Sequence, residues 1–123
     1  MPAKITFDTV QEIGLALPDV EVSTAYGATC LKLRGHLLAC PALNKSAEPN
    51  TLVVKVSFDQ RDALLTEAPD IFYVTDHYVN YPSVLVRLPR IRLDVLRDLL
   101  RTSWQFVNTQ KPAGKRKKRA IRR

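Results

Sequence analysis

Short apolar runs separated by turn-forming residues fill the middle of the sequence, between residues 28 and 88. Runs of this length, rich in Val and Leu and bounded by Gly, Pro or Asn, are typical of β-strands. Two of them flank Arg34-Gly35, which predicts a hairpin over 28–40 with a tight turn at that dipeptide. Further strands are predicted at 51–56, 71–75 and 83–88. The short connections favour a mostly antiparallel sheet.

Helical patterns precede, interrupt and follow these strands. Thr6 is the expected cap of a helix at about 7–16, and Asp94 is the expected cap of a longer amphipathic helix that closes the domain. Ser57, with a glutamine three residues later, forms a capping box that opens a short helix. Residues 19–27 have no clear period and are predicted to be a loop. This order predicts an α+β fold: a two-layer α/β sandwich with a mostly antiparallel sheet of about five strands packed against the N- and C-terminal helices.

The formal net charge of +7 is concentrated at the C-terminus. Residues 111–123 contain eight Lys and Arg and no Asp or Glu, whereas residues 1–110 contain 11 Lys and Arg against 12 Asp and Glu. A block of like charges with little apolar surface to bury cannot offset the entropy of ordering itself. We therefore expect a single domain over 1–110, nearly neutral, and a basic, disordered tail over 111–123.

Several functional classes receive no support from the sequence. No apolar run approaches the roughly 18 residues of a membrane span, and the N-terminus has no apolar signal segment, so we expect a cytoplasmic protein without a membrane partner. The four glycines are not clustered as in a phosphate-binding loop. The two histidines, His36 and His77, lie on separate segments, a weak basis for zinc binding. No cofactor or metal is predicted.

Cys30 and Cys40, the only cysteines, lie on the two arms of the predicted hairpin. A symmetric turn at residues 34–35 pairs Cys30 with Ala39, which places the two thiols on opposite faces of the hairpin. A three-residue loop would reverse that parity. With the symmetric turn, the cysteines are expected to be small, buried or half-buried hydrophobic residues that neither form a disulfide nor share a metal ion.

The alternation of side chains along the predicted strands defines an outward sheet face. If the most apolar positions point toward the helices, the outward face carries cations and one aromatic ring. The residues concerned are Lys32, Arg34, Lys55, Arg87 and Tyr73. Cations beside an aromatic ring can hold a phosphate backbone and stack a base. The alternative is that any solvated sheet face needs charged residues; the strand order, which decides whether these side chains are neighbours, is not readable from the sequence.

The segment from Tyr73 to Pro82 is rich in polar and aromatic groups. Its candidate ligand-binding residues are Tyr73, His77, Tyr78 and Tyr81. His77 beside Asp76 could serve as an acid–base pair, but adjacent residues seldom point at each other and no nucleophile accompanies them in a recognisable motif. We therefore expect no enzymatic activity, and a histidine that either fixes this loop by hydrogen bonds or contributes to a ligand-binding loop.

Several segments, in one order over about residues 6–108, carry a resemblance to a known family. They are Pro18 with the acidic loop after it, Lys55 to Leu65, Phe72 to Tyr78, Tyr81-Pro82 with Val84 to Leu88, and Trp104. As a set they resemble the MmcQ/YjbR family. The matching positions are Lys55, Phe58, Asp59, Arg61, Tyr73, His77, Tyr78, Tyr81, Pro82, Arg87 and Trp104. Ser83 stands where the family often has tryptophan, and the basic tail lies outside the match.

The resemblance implies a compact α/β sandwich of the CyaY-like (frataxin-like) type and a DNA-binding role. Together with the charge distribution it leads to the hypothesis of a non-enzymatic protein that binds nucleic acid, DNA being favoured, through non-specific contacts with the phosphate backbone. The residues assigned to this role are Lys32, Arg34, Lys55 and Arg87 on the sheet, and Lys115, Arg116, Lys117, Lys118 and Arg119 in the tail. The alternative is a protein- or small-ligand-interaction module that uses the His77–Tyr81 loop, with the tail as an electrostatic accessory.

Overall fold

The computed structural model describes residues 5–25 and 27–110, so the disorder and the phosphate contacts predicted for 111–123 lie outside the described residues. In the described chain, four strands follow the first helix, two follow the second, and a third helix comes last. They are α1 (Phe7–Leu15), β1 (Val20–Ala25), β2 (Ala28–Leu33), β3 (His36–Pro41), β4 (Thr51–Lys55), α2 (Phe58–Glu67), β5 (Phe72–Tyr73), β6 (Ser83–Arg87) and α3 (Leu93–Asn108).

The six strands of the described residues form one antiparallel sheet in the order β1-β2-β3-β4-β6-β5. The α+β fold class is confirmed, with one strand more than the roughly five that the pattern of apolar runs predicted. β5 has only two residues, and the chain leaves the sheet after Tyr73 to enter the loop that precedes β6. None of the helices in the described part of the chain has the length and hydropathy to cross a lipid bilayer.

The sixth strand is β1, in the segment that was predicted to be a loop, and that prediction is wrong. β1 pairs with β2 along its whole length, from Val20 opposite Leu33 to Ala25 opposite Ala28. It lies at an edge of the sheet and is only partly covered, since Val22 is 42% exposed. An edge strand that needs little apolar surface shows only a weak alternation in its sequence, which is why the segment lacks a clear period.

The inward side chains of the sheet and the three helices share one hydrophobic core. The inward parity predicted for the strands is confirmed, because Leu33, Val54 and Val86 are all fully buried in this core. α3 covers the central strands, and its Ser103 Oγ donates a 3.4 Å hydrogen bond to the carbonyl oxygen of Leu38. The Trp104 indole N–H also ties α3 to the turn after α1, by donating a 2.8 Å hydrogen bond to the carbonyl oxygen of Pro18.

Two of the three predicted helix caps are confirmed. Thr6 precedes α1, and the Ser57 hydroxyl accepts a hydrogen bond from the Gln60 N–H at the start of α2. The prediction for Asp94 is wrong, since α3 begins at Leu93 and Arg92 occupies the cap position. Asp94 lies in the first turn instead, where its carboxylate is 3.1 Å from the Arg92 guanidinium and interacts favourably with the positive end of the helix dipole.

The β2–β3 hairpin contains a bulge that changes the predicted placement of the cysteines. The tight turn is at Arg34-Gly35 as predicted, with positive φ at both residues. Lys32 pairs with Leu37, but Leu31 pairs with Ala39, so β3 has one extra residue at Leu38. An extra residue reverses the parity of all pairs beyond it. Continued by one step, the observed register brings the two cysteines opposite each other on the outward face, and the prediction that they lie on opposite faces is wrong.

Candidate nucleic-acid interface

The outward face of the sheet is covered at its centre, so the expectation of an open face is wrong there. Leu85 is fully buried and Val53 is 7% exposed, although both point away from the helices. Glu48 contacts the outward side chains of Tyr73 and Arg87, which places the 42–50 loop across this part of the face. The burial of this part of the face has a physical reason, because removing the adjacent apolar side chains of Val53 and Leu85 from water is favourable.

Tyrosine hydroxyls join the 42–50 loop to the strand and loop around β5. The Tyr73 hydroxyl accepts a 2.7 Å hydrogen bond from the Glu48 N–H and lies 2.6 Å from Thr51 Oγ1. The Tyr78 hydroxyl accepts a 3.4 Å hydrogen bond from the Asn44 N–H. Two of the four candidate ligand-binding residues therefore use their hydroxyl groups within the fold.

Arg87 is fully engaged in the structure. Its Nε and Nη2 donate hydrogen bonds of 2.9 and 2.8 Å to the two carboxylate oxygens of Glu48. Its Nη1 donates to the carbonyl oxygens of Pro69 and Asp70, at 3.1 and 3.2 Å, and the guanidinium carbon lies 4.3 Å from the centre of the Tyr73 ring. A phosphate group would have to displace Glu48 to reach this guanidinium. A bidentate pair of this kind, between an arginine and a carboxylate, is among the stronger charge-assisted contacts.

The Arg87–Glu48 pair makes stability depend on pH. The hydrogen bond from Arg87 lowers the pKa of Glu48 below its ordinary value of 4.5. A carboxyl group whose pKa is lower in the folded state contributes stability above its unfolded pKa, and that contribution is lost as the pH falls through the folded pKa. We expect Glu48→Gln to lower the urea midpoint at about pH 6, and we expect its difference from the wild type to shrink as the pH falls through the lowered pKa of Glu48.

Glu67→Gln is the matched control, since Glu67 is exposed and forms no ion pair with the described residues. Its midpoint should track the wild type across the whole range. A Glu48→Gln midpoint that differs from the wild type by the same amount at every pH would show that the ion pair contributes nothing to stability.

Arg34 is also paired, at the tip of the hairpin. Its Nη2 lies 3.1 Å from a carboxylate oxygen of Asp19, and its Nη1 donates to the side-chain oxygen of Asn108 at the end of α3. Arg34 thereby connects the hairpin turn to the turn before β1 and to the last residue of α3. Its φ of 50° lies in the left-handed region, where a residue other than glycine is uncommon.

Lys32 and Lys55 are the sheet cations that form no ion pair with another described residue. Lys32 pairs with Leu37 next to the hairpin turn, and Lys55 is the last residue of β4, at the same end of the sheet. With β3 between their strands, the two backbones are about 10 Å apart. Burial lowers the pKa of Lys55, so an added anion would favour its charged form.

The structure therefore divides the predicted sheet cations between two ends. Lys32, Arg34 and Lys55 lie at the end that contains the hairpin turn, which we call the turn end of the sheet. Arg87 pairs with Thr51 at the start of β4, about 13 Å farther along the strand direction. Because Asn108 contacts Arg34, α3 also finishes at the turn end. The sequence beyond Gln110, which includes Lys115 to Arg119, continues from this point but lies outside the described residues.

A buried arginine holds the 74–82 loop, although the sequence indicates it only as a position that matches the family. Arg61 of α2 is 8% exposed, and its Nη1 donates hydrogen bonds of 3.0 and 3.1 Å to the carbonyl oxygens of Val79 and Tyr81. Its guanidinium also lies 4.9 Å from the centre of the Phe58 ring. No sequence pattern pairs a helix side chain with carbonyl groups 18 and 20 residues away.

The other candidate residues of this loop are exposed. His77 is exposed, with its ring edge-on to that of Tyr78 at 4.8 Å between centroids. Tyr81 is 58% exposed, and Phe58 and Val79, which also contact Arg61, are exposed apolar side chains. This loop thus presents an apolar and aromatic surface to solvent.

Two features of the described residues bear on metal binding and on the binding of a small ligand. They contain no group of three or more His, Cys, Asp or Glu side chains placed to hold a metal ion. A cleft of about 520 Å³ lies between the start of α1, the 42–50 loop and the end of β6, and Lys45 and Glu48 are the charged residues among its lining. Glu48, one of these two charged residues, is paired with Arg87.

These observations define a small α+β domain with one antiparallel sheet, its helices packed on one face and a loop across part of the other. The YjbR family model matches residues 15–106, most of the chain, and the protein therefore belongs to the YjbR family. The resemblance to the MmcQ/YjbR family is confirmed.

Similar proteins extend this comparison. The chain is 38% identical over 42 residues to the uncharacterized protein Rv2570 of Mycobacterium tuberculosis and to the uncharacterized protein Mb2600 of Mycobacterium bovis. Each match covers 34% of this chain and 33% of the relative, so it spans about a third of the length of these proteins. The crystal structure of Deinococcus radiodurans protein DR2400, with a DUF419 domain, is similar with a TM-score of 0.68 and 19% identity, over 93% of this chain and 88% of that chain. At this identity the likeness shows a shared fold.

Proposed function

We propose that this YjbR-family protein is a non-enzymatic, cytoplasmic protein that binds nucleic acid through non-specific contacts with the phosphate backbone, with duplex DNA as the favoured partner. The observation that supports the proposal is the position of Lys32 and Lys55 at the turn end of the sheet. At this end Asp19 pairs with Arg34, and Glu21 lies opposite Lys32. Lys32 and Lys55 form no ion pair with a described residue, and they lie on the outward face at the same end of the sheet as the C-terminal end of α3, which packs on the opposite face. The sequence continues from there into residues 111–123, with eight Lys and Arg and no acidic residue.

The four sheet cations have unequal roles in this proposal. Arg87 is held by Glu48, and Arg34 by Asp19, so each would have to exchange a carboxylate for a phosphate. Lys32 and Lys55 can accept a phosphate without losing an ion pair within the described residues. We therefore assign the positioning of the backbone mainly to these two lysines, and most of the long-range attraction to the cations of 111–123, including Lys115 to Arg119. The CyaY-like type of the sandwich, which the family resemblance implies, stays a prediction.

An NMR titration of labelled protein with a short DNA duplex at low salt tests the proposal. We expect shifts in the fold to cluster around Lys32 and Lys55 and at Asn108 to Gln110, with little change at Arg87 because Glu48 already occupies it. The shifts should disappear when salt is added, since the contacts are electrostatic. An absence of any shift at low salt would end the proposal.

One observation favours the alternative of an interaction module. Phe58, Val79 and Tyr81 are exposed apolar residues gathered around Arg61, and aromatic side chains are common at protein interfaces. In the same titration, duplex-dependent shifts restricted to the 74–82 loop and Phe58 would assign binding to this surface instead of the turn end of the sheet.

A further inference from the structure

The β2–β3 bulge brings the two cysteines of the chain next to each other. Leu31 is the register partner of Ala39, and the next antiparallel step places Cys30 opposite Cys40 on the outward face. Directly opposed residues in antiparallel strands have Cα atoms about 4.5 or 5.5 Å apart, depending on the type of pair. Both values lie within the roughly 4.4–6.8 Å that a disulfide spans. Both cysteines are free thiols in the structure.

The two thiols differ in accessibility. Cys30 is fully buried, whereas Cys40 is partly exposed. Burial and the neighbouring Cys30 thiol raise the pKa of Cys40 to about 11, against the opposing effect of Lys55. Burial also raises the pKa of Cys30, against Lys32. Two mutually close thiols with raised pKa values are stable as thiols at neutral pH and react slowly, because the thiolate is the nucleophile.

We propose that Cys30 and Cys40 form a redox modification site, at which a small disulfide of the glutathione type oxidises the pair to an intramolecular cross-strand disulfide. The Cys40 thiolate attacks one sulfur of the oxidant, forms a mixed disulfide and releases one reduced thiol. The Cys30 thiolate then attacks the Cys40 sulfur, closes the Cys30–Cys40 bond and releases the second reduced thiol. Each protein thiol loses one proton and the pair gives two electrons to the oxidant, which is reduced to two thiols. The proposal does not rest on nucleic-acid binding, although Lys32 and Lys55 lie close enough to the two thiols to influence their pKa values.

The order of attack gives each cysteine a distinct signature. The full chain is incubated under native conditions with excess oxidised glutathione at mildly alkaline pH, and the reaction is quenched with acid. The mass of the intact protein is then measured by mass spectrometry without reductant. The wild type is expected to lose two hydrogen atoms and to retain no glutathione. Cys30→Ser should retain one glutathione on Cys40, because no second thiol is present to displace it. Cys40→Ser should react at least about tenfold more slowly than Cys30→Ser, since the remaining thiol is buried.

Thermal melts of both reduced variants establish that they are folded before they are compared. A measurement on the wild type alone tests the same proposal. After alkylation of free thiols, peptide mapping should find Cys30 and Cys40 linked to each other, and reductant should return both residues to free thiols. A wild-type chain that keeps glutathione on Cys40, or forms disulfide-linked dimers in place of the internal bond, would overturn the proposal.

Discussion

A chain that ends at Gln110 is expected to lose most of its affinity for duplex DNA and most of the salt dependence of binding. Residues 111–123 hold eight positive charges, whereas residues 1–110 have one more acidic than basic residue. If all eight charges met phosphates, log K against log salt would have a slope of about −7, equivalent to a loss of about 10⁴-fold between roughly 50 and 200 mM salt. With only Lys32 and Lys55 in contact, the slope of the shortened chain should be no steeper than about −2.

Two sets of variants separate charge from chain length and locate the contribution of the fold. A full-length chain with the eight basic residues of 111–123 replaced by glutamine should behave like the shortened chain. Lys32→Gln and Lys55→Gln should each reduce the slope by about one unit, whereas Lys45→Gln, an exposed lysine on the 42–50 loop, should leave it nearly unchanged. A shortened chain that keeps the full slope would place the binding surface within residues 1–110 and contradict the assignment to the C-terminal charges.

The parts of the fold that could be predicted are those in which burial dictates the sequence pattern. The central strands β4 and β6 are visible as short apolar runs because their inward residues, such as Leu52 and Val84, are fully buried in the core. β1 was missed because an edge strand satisfies its hydrogen bonds on one side and buries little. The bulge at Leu38 was missed because it arises from packing, since Leu38 and Ala39 are both buried in the core, and no local turn signal encodes it.

The positions of the charged side chains in the candidate site were predictable from the sequence, but their ion-pair partners were not. Strand parity correctly placed Lys55 and Arg87 on the outward face, since a β-strand alternates regardless of its neighbours. Their electrostatic state was not predictable, because it depends on a partner from a distant loop: Glu48 lies 39 residues from Arg87 in the sequence. Side chains that meet through such loops follow no periodicity, which is also why the burial of Leu85 on the outward face was missed.

Replacement of Arg61 by alanine is expected to destabilise the protein by about 2–4 kcal/mol, mainly by freeing the 74–82 loop. Arg61 donates two hydrogen bonds from a charged group, each worth about 1.5–3 kcal/mol, to the carbonyl oxygens of Val79 and Tyr81. Two features of the wild type offset part of the free energy that these hydrogen bonds contribute. The buried Arg61 Nε has no hydrogen-bond partner among the described residues, and no described carboxylate forms an ion pair with the guanidinium. Urea unfolding measures the sum, and hydrogen exchange at residues 79–81 reports whether the loss is local.

Arg61→Met and Arg61→Lys divide this effect into its parts. Methionine keeps most of the side-chain volume but removes the hydrogen bonds and the buried charge, so its stability relative to the wild type reports the polar contribution alone. Lysine keeps the charge and can reach a carbonyl oxygen through a single ammonium, and it should fall between wild type and alanine. Arg97→Ala, at an exposed position of α3, should change stability by less than about 0.5 kcal/mol. If Arg61→Met were as stable as the wild type, the free-energy cost of burying a cation without an ion-pair partner would equal the free energy that the two hydrogen bonds contribute. The role of Arg61 would then be to position Phe58, Val79 and Tyr81 at the surface and not to stabilise the fold.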